Sequence, residues 1–302
     1  MRIAIVLAGV LAGLMTPLAA SAQTYTPPPA SLALLQQVPF AGATELDADY
    51  HKQFVRCDGL LPGAAGKDTF RGYSMKRPNK PDSQQYYLCS RDPSRVEALL
   101  KLTDGAVYWE SKMALDVDGA WAAWNGIPGA TDLKMTSYRW RNITNKESQA
   151  AQVDPDVYPF IVMPTAGIKE LTGSTAAAKA AGAEFAAQTG LKMGDMGIVI
   201  YRDKWTPAFI ADGGPFMRLG EGSSKVFEVL GETRCKKWNA DKTDCIGTGG
   251  YPYRNFGIGS DVIFIMYPGS ASTAFRSDNA IEMLCAFAES KLGLTGSATC
   301  ED

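Results

Sequence analysis

Histidine is almost absent from this 302-residue chain: His51 stands alone. A Ser-His-Asp triad would have to use it, and no Gly-x-Ser-x-Gly elbow is present to offer a nucleophile. With one histidine and no Cys-x-x-Cys pair, a zinc site is a poor fit. No charge of one sign dominates either: 30 basic residues against 32 acidic ones give a formal net charge of −2. A nucleic-acid binder normally carries a basic surface, so that class is set aside. Beyond residue 22 no apolar run is long enough to cross a bilayer. The glycine-rich stretch Gly247-Thr248-Gly249-Gly250 lacks the Lys-Ser/Thr of a phosphate loop and reads as a flexible rim.

What is present begins with an export signature. Arg2 supplies a charged start, Ile3 to Leu14 a short apolar run, and Ala20-Ser21-Ala22 a small-residue cleavage site before Gln23. Residues 1–22 are therefore expected to be a signal peptide. Its loss leaves 280 residues and removes one basic group, Arg2, for a net charge of −3. The six cysteines, Cys57, Cys89, Cys235, Cys245, Cys285 and Cys300, are even in number in an exported chain and read as disulfides. Six cysteines allow fifteen connectivities. Spacing suggests a local Cys235–Cys245 bridge, with Cys57–Cys89 and Cys285–Cys300 as the remaining neighbours. The product is expected to be secreted, extracellular or periplasmic, and monomeric.

Residues 23–45, with Pro27-Pro28-Pro29, look like an extended leader packed on the domain. No internal repeat or second-domain boundary is visible, so residues 46–302 are read as one catalytic domain. Asp92-Pro93 before Val96, Leu99 and Leu100 has the start and the apolar spacing of a helix. From Val107 onward the pattern is mostly strand-like. Apolar runs at 159–163, 197–201, 207–211 and 261–267 are bounded by Gly, Pro or Asp. Three helices interrupt them. An Ala-rich one spans Thr175 to Gln188, and a second is capped by Ser223 and ends at Gly231. A third starts at Ser277-Asp278 and stops before Gly293. Asn142-Ile143-Thr144 is a glycosylation sequon, meaningful only in a eukaryotic secretory route.

The most informative stretch is 205–224. An apolar run ends in Asp212, a Gly213-Gly214-Pro215 turn is expected next, and Glu221 follows nine residues on between Gly220 and Gly222. Two carboxylates brought together can hydrolyse a glycosidic bond, one as acid and the other as base or nucleophile. Spacing alone favours two surface acids in a polar loop.

Asp212, Gly214, Pro215, Gly220, Glu221 and Ser223 resemble the active-site segment of glycoside hydrolase family 75, the fungal-type chitosanases. Four further pieces are similar in the same order: Ala114 to Gly119, Tyr158 to Pro164, Gly194 to Tyr201, and Asp261 to Ser270. The similarity covers roughly residues 105–275. It implies that Asp212 and Glu221 are the catalytic pair of an inverting enzyme, whose carboxyls lie about 6.5–9.5 Å apart across a cleft. Which of the two is acid and which is base is not readable from the residues; the order leaned to is Glu221 as acid and Asp212 as base. The order of strand, Asp-x-Gly-Pro-Phe, loop and helix also resembles double-psi β-barrel domains, such as rare-lipoprotein-A-like domains and family 45 endoglucanases. The expected fold is mainly β with a few surface helices, α+β, around a six-stranded double-psi-like barrel.

Asp116 and Asp118 flank Val117 and would share one face of a strand. They read either as a calcium-like or structural loop or as a pair that binds a glucosamine ammonium. Trp121, Trp124, Tyr138, Trp140, Trp205, Tyr251 and Tyr253 are candidates for stacking on sugar rings, but such aromatics are more often core, so at most two or three are expected in the cleft, with Trp124 and Tyr253 chosen. The resulting expectation is a cofactor-free endo-chitosanase acting on chitosan or a related amino-sugar polysaccharide, with no nucleic-acid or membrane partner. A hydrolase of another amino-sugar or cell-wall glycan, or a carbohydrate-binding domain without turnover, are the alternatives.

Overall fold

Strands dominate this chain because its apolar runs are buried on both faces. A computed structural model describes residues 25–46, 73–77, 80–87, 96–127, 133–166, 175–215, 219–254 and 257–301. Residues 1–22, expected to be a signal peptide, His51 and the expected Cys57–Cys89 pair lie outside the described residues.

Among the described residues there are ten strands: β1 Thr44–Glu45, β2 Tyr73–Arg77, β3 Lys80–Tyr87, β4 Val96–Lys101, β5 Val107–Asp116, β6 Phe160–Ala166, β7 Met196–Tyr201, β8 Lys204–Pro215, β9 Glu221–Ser223 and β10 Ile258–Met266. The main sheet runs β1-β4-β5-β10-β7-β8-β6-β9, and a β5–β9 pairing closes its last six strands into a barrel. Strands β2 and β3 form a separate hairpin. Most pairings are antiparallel, but β6 runs parallel to β8 and β5 parallel to β9. The mainly-β fold with a six-stranded barrel core thus agrees with the sequence expectation.

Side chains alternate across each strand, and in most barrel strands both sets are largely apolar, with Glu110, Ser111 and Lys112 of β5 among the buried polar exceptions. Val107, Trp109 and Met113 of β5, Ile161 and Met163 of β6, Val199 of β7, Ile210 of β8 and Phe264 of β10 meet in one buried cluster. Trp109 stacks on Phe264 at 4.9 Å there. Their neighbours face the other way. Tyr108, Ile198, Ile200, Ile263 and Ile265 pack with Leu35 and Val38 of the leader and with Ala288 and Leu292. Phe160, Val162, Phe209 and Ala211 pack with Trp140, Val153 and Leu284. The leader carries a short 3-10 helix, Pro29–Leu35, and the Tyr25 hydroxyl donates to Glu110 of β5.

The helices follow their sequence signals. Besides the single turn α1 (Trp121–Trp124), they are α2 (Thr175–Thr189), α3 (Ser224–Val229) and α4 (Ala280–Leu292). Ser223 caps α3 by accepting from the Val226 amide, and Gly293 closes α4 in the left-handed region at φ 62°. One expectation fails. Residues 96–101 form strand β4, paired with β5, where a helix was expected from the apolar spacing. Leu99 enters the barrel cluster while Ala98 and Leu100 face the leader. A strand buried on both faces mimics helical spacing, and pairing with β5 decides the outcome.

The Cys235–Cys245 and Cys285–Cys300 disulfides are both present, as their spacing suggested. They point to an oxidising environment. Among the described residues no helix is long and apolar enough to cross a membrane.

Candidate active site

Asp212 does not sit at the end of its strand. Strand β8 continues through Gly213, Gly214 and Pro215, so the expected Gly-Gly-Pro turn is corrected to parallel pairing with β6. The glycines serve close approach there: a Cβ on Gly213 would overlap Thr165, and one on Gly214 would stand 3.0 Å from Val162 Cγ1 and 3.3 Å from Glu221 Oε2.

A bulge sets the direction of Asp212. Ile161 pairs with Ile210 and Val162 with Asp212, which leaves Ala211 extra. The Ala211 carbonyl accepts from the Tyr138 amide at 2.8 Å instead. That contact lays Ser137 against Asp212. Oδ1 then accepts from the Ser137 hydroxyl at 2.5 Å, the Ser137 amide at 3.1 Å and the Gly213 amide at 2.6 Å. Oδ2 is buried with no hydrogen-bond partner. Asp212 is only 5% exposed, which corrects the expectation of an open cleft bearing both carboxyls.

Glu221 opens β9 and is half-buried. The two residues before it hold it in place. Buried Leu219 anchors the barrel core before it, and the Gly220 carbonyl accepts from the Ala114 amide at 2.8 Å. Gly220 has φ 81°, and a Cβ there would overlap the Lys112 carbonyl. The parallel register sets Ala114 beside Glu221 and Asp116 beside Ser223. Asp116 therefore ends its strand two residues along from the partner of Glu221.

Asp116 and Asp118 were expected to alternate on one strand, but Asp116 ends β5 and Asp118 lies in the turn after it. Asp116 Oδ1 accepts from the Asp118 amide at 2.8 Å, and Asp118 Oδ1 accepts from the Leu133 amide at 2.7 Å. Asp116, Asp118 and Asp212 each bring a carboxylate oxygen within 4.8 Å of the others. Burial, then Asp118, Asp212 and Glu221, push the Asp116 carboxyl well above the usual carboxylate range. Burial likewise raises Asp212, opposed by its bonds from Ser137 and Gly213 and by Arg139 nearby.

The two aromatic choices separate. Tyr253 is 1% exposed and its hydroxyl donates to Asp156 at 2.8 Å, so it is a core residue and its assignment to substrate is corrected. A phenol that completes a buried hydrogen bond is held by that bond. Tyr138, Trp140 and Trp205 are buried as well. Trp124 is half-buried in α1, three residues beyond the Asp118 loop's Trp121, with the Lys134 ammonium 5.5 Å from its ring centroid. Sequence reasoning missed Ser137 and Arg139. No motif marks them, since the Ala211 bulge that recruits them depends on long-range pairing.

No protein-family model matches the chain, and no curated protein matches it. The likeness to family 75 therefore rests on the motif residues themselves.

Proposed function

We propose that the protein is an exported glycoside hydrolase that cleaves chitosan between glucosamine units by an inverting mechanism, using Asp212 and Glu221. The observation that carries this reading is the convergence of Asp116, Asp118, Asp212 and Glu221, acids from β5, the following turn, β8 and β9, on one another. Acids so close repel one another, and a cationic sugar relieves that repulsion. A glucosamine ammonium set against Asp116 and Asp118 gains charge-assisted hydrogen bonds that an N-acetyl group cannot make.

Hydrolysis requires a proton at the leaving oxygen and a base for water on the far face of the ring. Burial favours the protonated form of Asp212, which suits the donor. We therefore reverse the sequence-based order and assign Asp212 as acid and Glu221 as base. Ser137 and Gly213 fix Oδ1, which leaves Oδ2 as the oxygen that meets the substrate. Binding has to open the enclosure around it.

A reducing-end assay on chitosan, chitin, cellulose and peptidoglycan tests the reading. Chitosan is expected to be cleaved and cellulose not. Preferential cleavage of chitin or peptidoglycan moves the assignment to another amino-sugar glycan. No turnover on any of them, with chitosan still bound, makes the domain a carbohydrate-binding one.

A further inference from the structure

We infer that the Asp116, Asp118 and Asp212 cluster is also a binding site for a hard divalent cation of the calcium type, in competition with the ammonium of a sugar. The site would hold its ion whether or not the protein hydrolyses glycosides.

Two independent observations carry it. The first is geometric. One carboxylate oxygen from each of the three acids lies within 4.8 Å of the other two. Calcium–oxygen distances of about 2.3–2.6 Å let two oxygens on one ion stand up to about 4.6–5.2 Å apart. The second is an orphan. Asp212 is 5% exposed, and its Oδ2 is buried without a partner while Oδ1 accepts three hydrogen bonds. A buried carboxylate oxygen in that state is costly unless a proton or a cation meets it, and here it is carried by a residue of the same cluster.

The donor set selects the ion. All three ligands are carboxylates, with neither sulfur nor imidazole among them, which disfavours zinc and copper and favours a hard cation. Magnesium asks for nearly ideal octahedral distances of about 2.0–2.1 Å and is the poorer fit. The cluster is prepared from behind: the Asp118 and Leu133 amides hold Asp116 and Asp118 each by Oδ1. The same turn continues into α1, so an ion here would tie the end of β5 to β8.

Calorimetric titration of the purified exported protein with calcium chloride, free of any polysaccharide, tests this. Saturable binding of one ion is expected, with Kd on the order of 10⁻⁴ to 10⁻³ M as in extracellular calcium modules. At 10 mM calcium the Tm should rise by about 4 °C. Asp116→Asn and Asp118→Asn keep an oxygen for the Asp118 and Leu133 amides, so both should fold as the parent does. Each should weaken binding at least tenfold, whereas Asp241→Asn, at an exposed acid elsewhere, should not. Absence of saturable binding up to 10 mM overturns the inference. So does binding that survives unchanged in both cluster variants, since the ion then sits elsewhere. Failure of chitosan cleavage in the same preparation would leave the calcium result standing, because the titration contains no substrate.

Discussion

Two of the groups of buried acids among the described residues are finished differently. Around Asp156 the donors come from both sides. The Ser224 hydroxyl donates to Oδ1, and the Cys245 amide and Tyr253 hydroxyl donate to Oδ2 at 2.8 Å each. Those donors belong to the start of α3, the Cys235–Cys245 loop and the segment behind it, so one carboxylate staples three pieces of chain. At Asp212 the donors come to Oδ1 alone, Oδ2 has no hydrogen-bond partner, and the carboxylate lies close to two further acids. Burial raises the carboxyl in both places. Burial and a raised proton affinity therefore do not distinguish a functional acid from a structural one. On the proposed function, incomplete satisfaction does: a staple uses both oxygens inward, while a site keeps one for a ligand.

The comparison is sharpest under isosteric substitution. Asp212→Asn keeps an oxygen for Ser137 and Gly213, so it should fold normally while chitosan cleavage falls about 10³-fold, within the span of general acid–base catalysis. Glu221→Gln should do the same. A substrate with an activated leaving group separates their roles, since it needs no proton from the enzyme. Cleavage of such a substrate by Asp212→Asn but not by Glu221→Gln supports Asp212 as acid; the opposite result restores the order expected from sequence. Asp156→Ala should behave in the contrary way. It strands the Cys245 amide and the Tyr253 hydroxyl, at about 1–3 kcal/mol for each buried group, or about 3 kcal/mol in all. Urea unfolding would measure it. If Asp212→Asn proves the more destabilising of the two, the distinction between staple and site collapses.

Little of this contrast was legible in the sequence. The barrel strands were, because apolar runs such as 197–201 and 261–267 end at Gly, Pro or Asp and have no other use. The helix caps at Ser223 and Gly293 were local too. Long-range pairing was not. Asp212 and Glu221 stood out through their glycine neighbours, but their meeting with Asp116 depends on β5 running parallel to β9 and on a bulge at Ala211. Asp156 lies in Val153-Asp154-Pro155-Asp156, which carries no motif, and its role appears only once the distant Cys245 and Tyr253 arrive. Tyr253 was misassigned for the same reason: a tyrosine in a Gly- and Pro-rich stretch looks like a binding residue until its hydroxyl finds a buried carboxylate.

On the cation side of the site the expected effect is smaller. Asp116→Asn should lower kcat/KM on chitosan about ten- to a hundredfold, the loss of one charge-assisted hydrogen bond of about 1.5–3 kcal/mol. The deficit should grow as the polymer becomes less acetylated, because more units then carry an ammonium. An equal deficit on sparsely and highly acetylated polymer, with a lower Tm, would make Asp116 a structural acid like Asp156.

The smallest effect is on stability against pH, and its sign is diagnostic. Burial, then contact with Asp244, pushes the Asp156 carboxyl up to about 6, with the bonds from Ser224, Cys245 and Tyr253 opposing the rise. Asp154 beside it is raised as well, again chiefly by burial and then by Asp156. An acid raised on folding binds its proton more tightly in the folded chain than in the unfolded one. Its contribution to stability therefore falls as pH rises from about 4 through about 6, and returns on acidification. From pH 7 to pH 5 Asp156 should add about 1 kcal/mol, and the raised Asp154 acts in the same direction. Asp156→Asn should lower stability at both pH values but flatten the slope between them by about that amount. The urea midpoint of both proteins at pH 5 and pH 7 measures this. A parent protein that loses stability on going to pH 5, or a variant whose slope is unchanged, would mean that Asp156 is held ionised by its three donors, a purely electrostatic staple whose hydrogen bonds outweigh its burial.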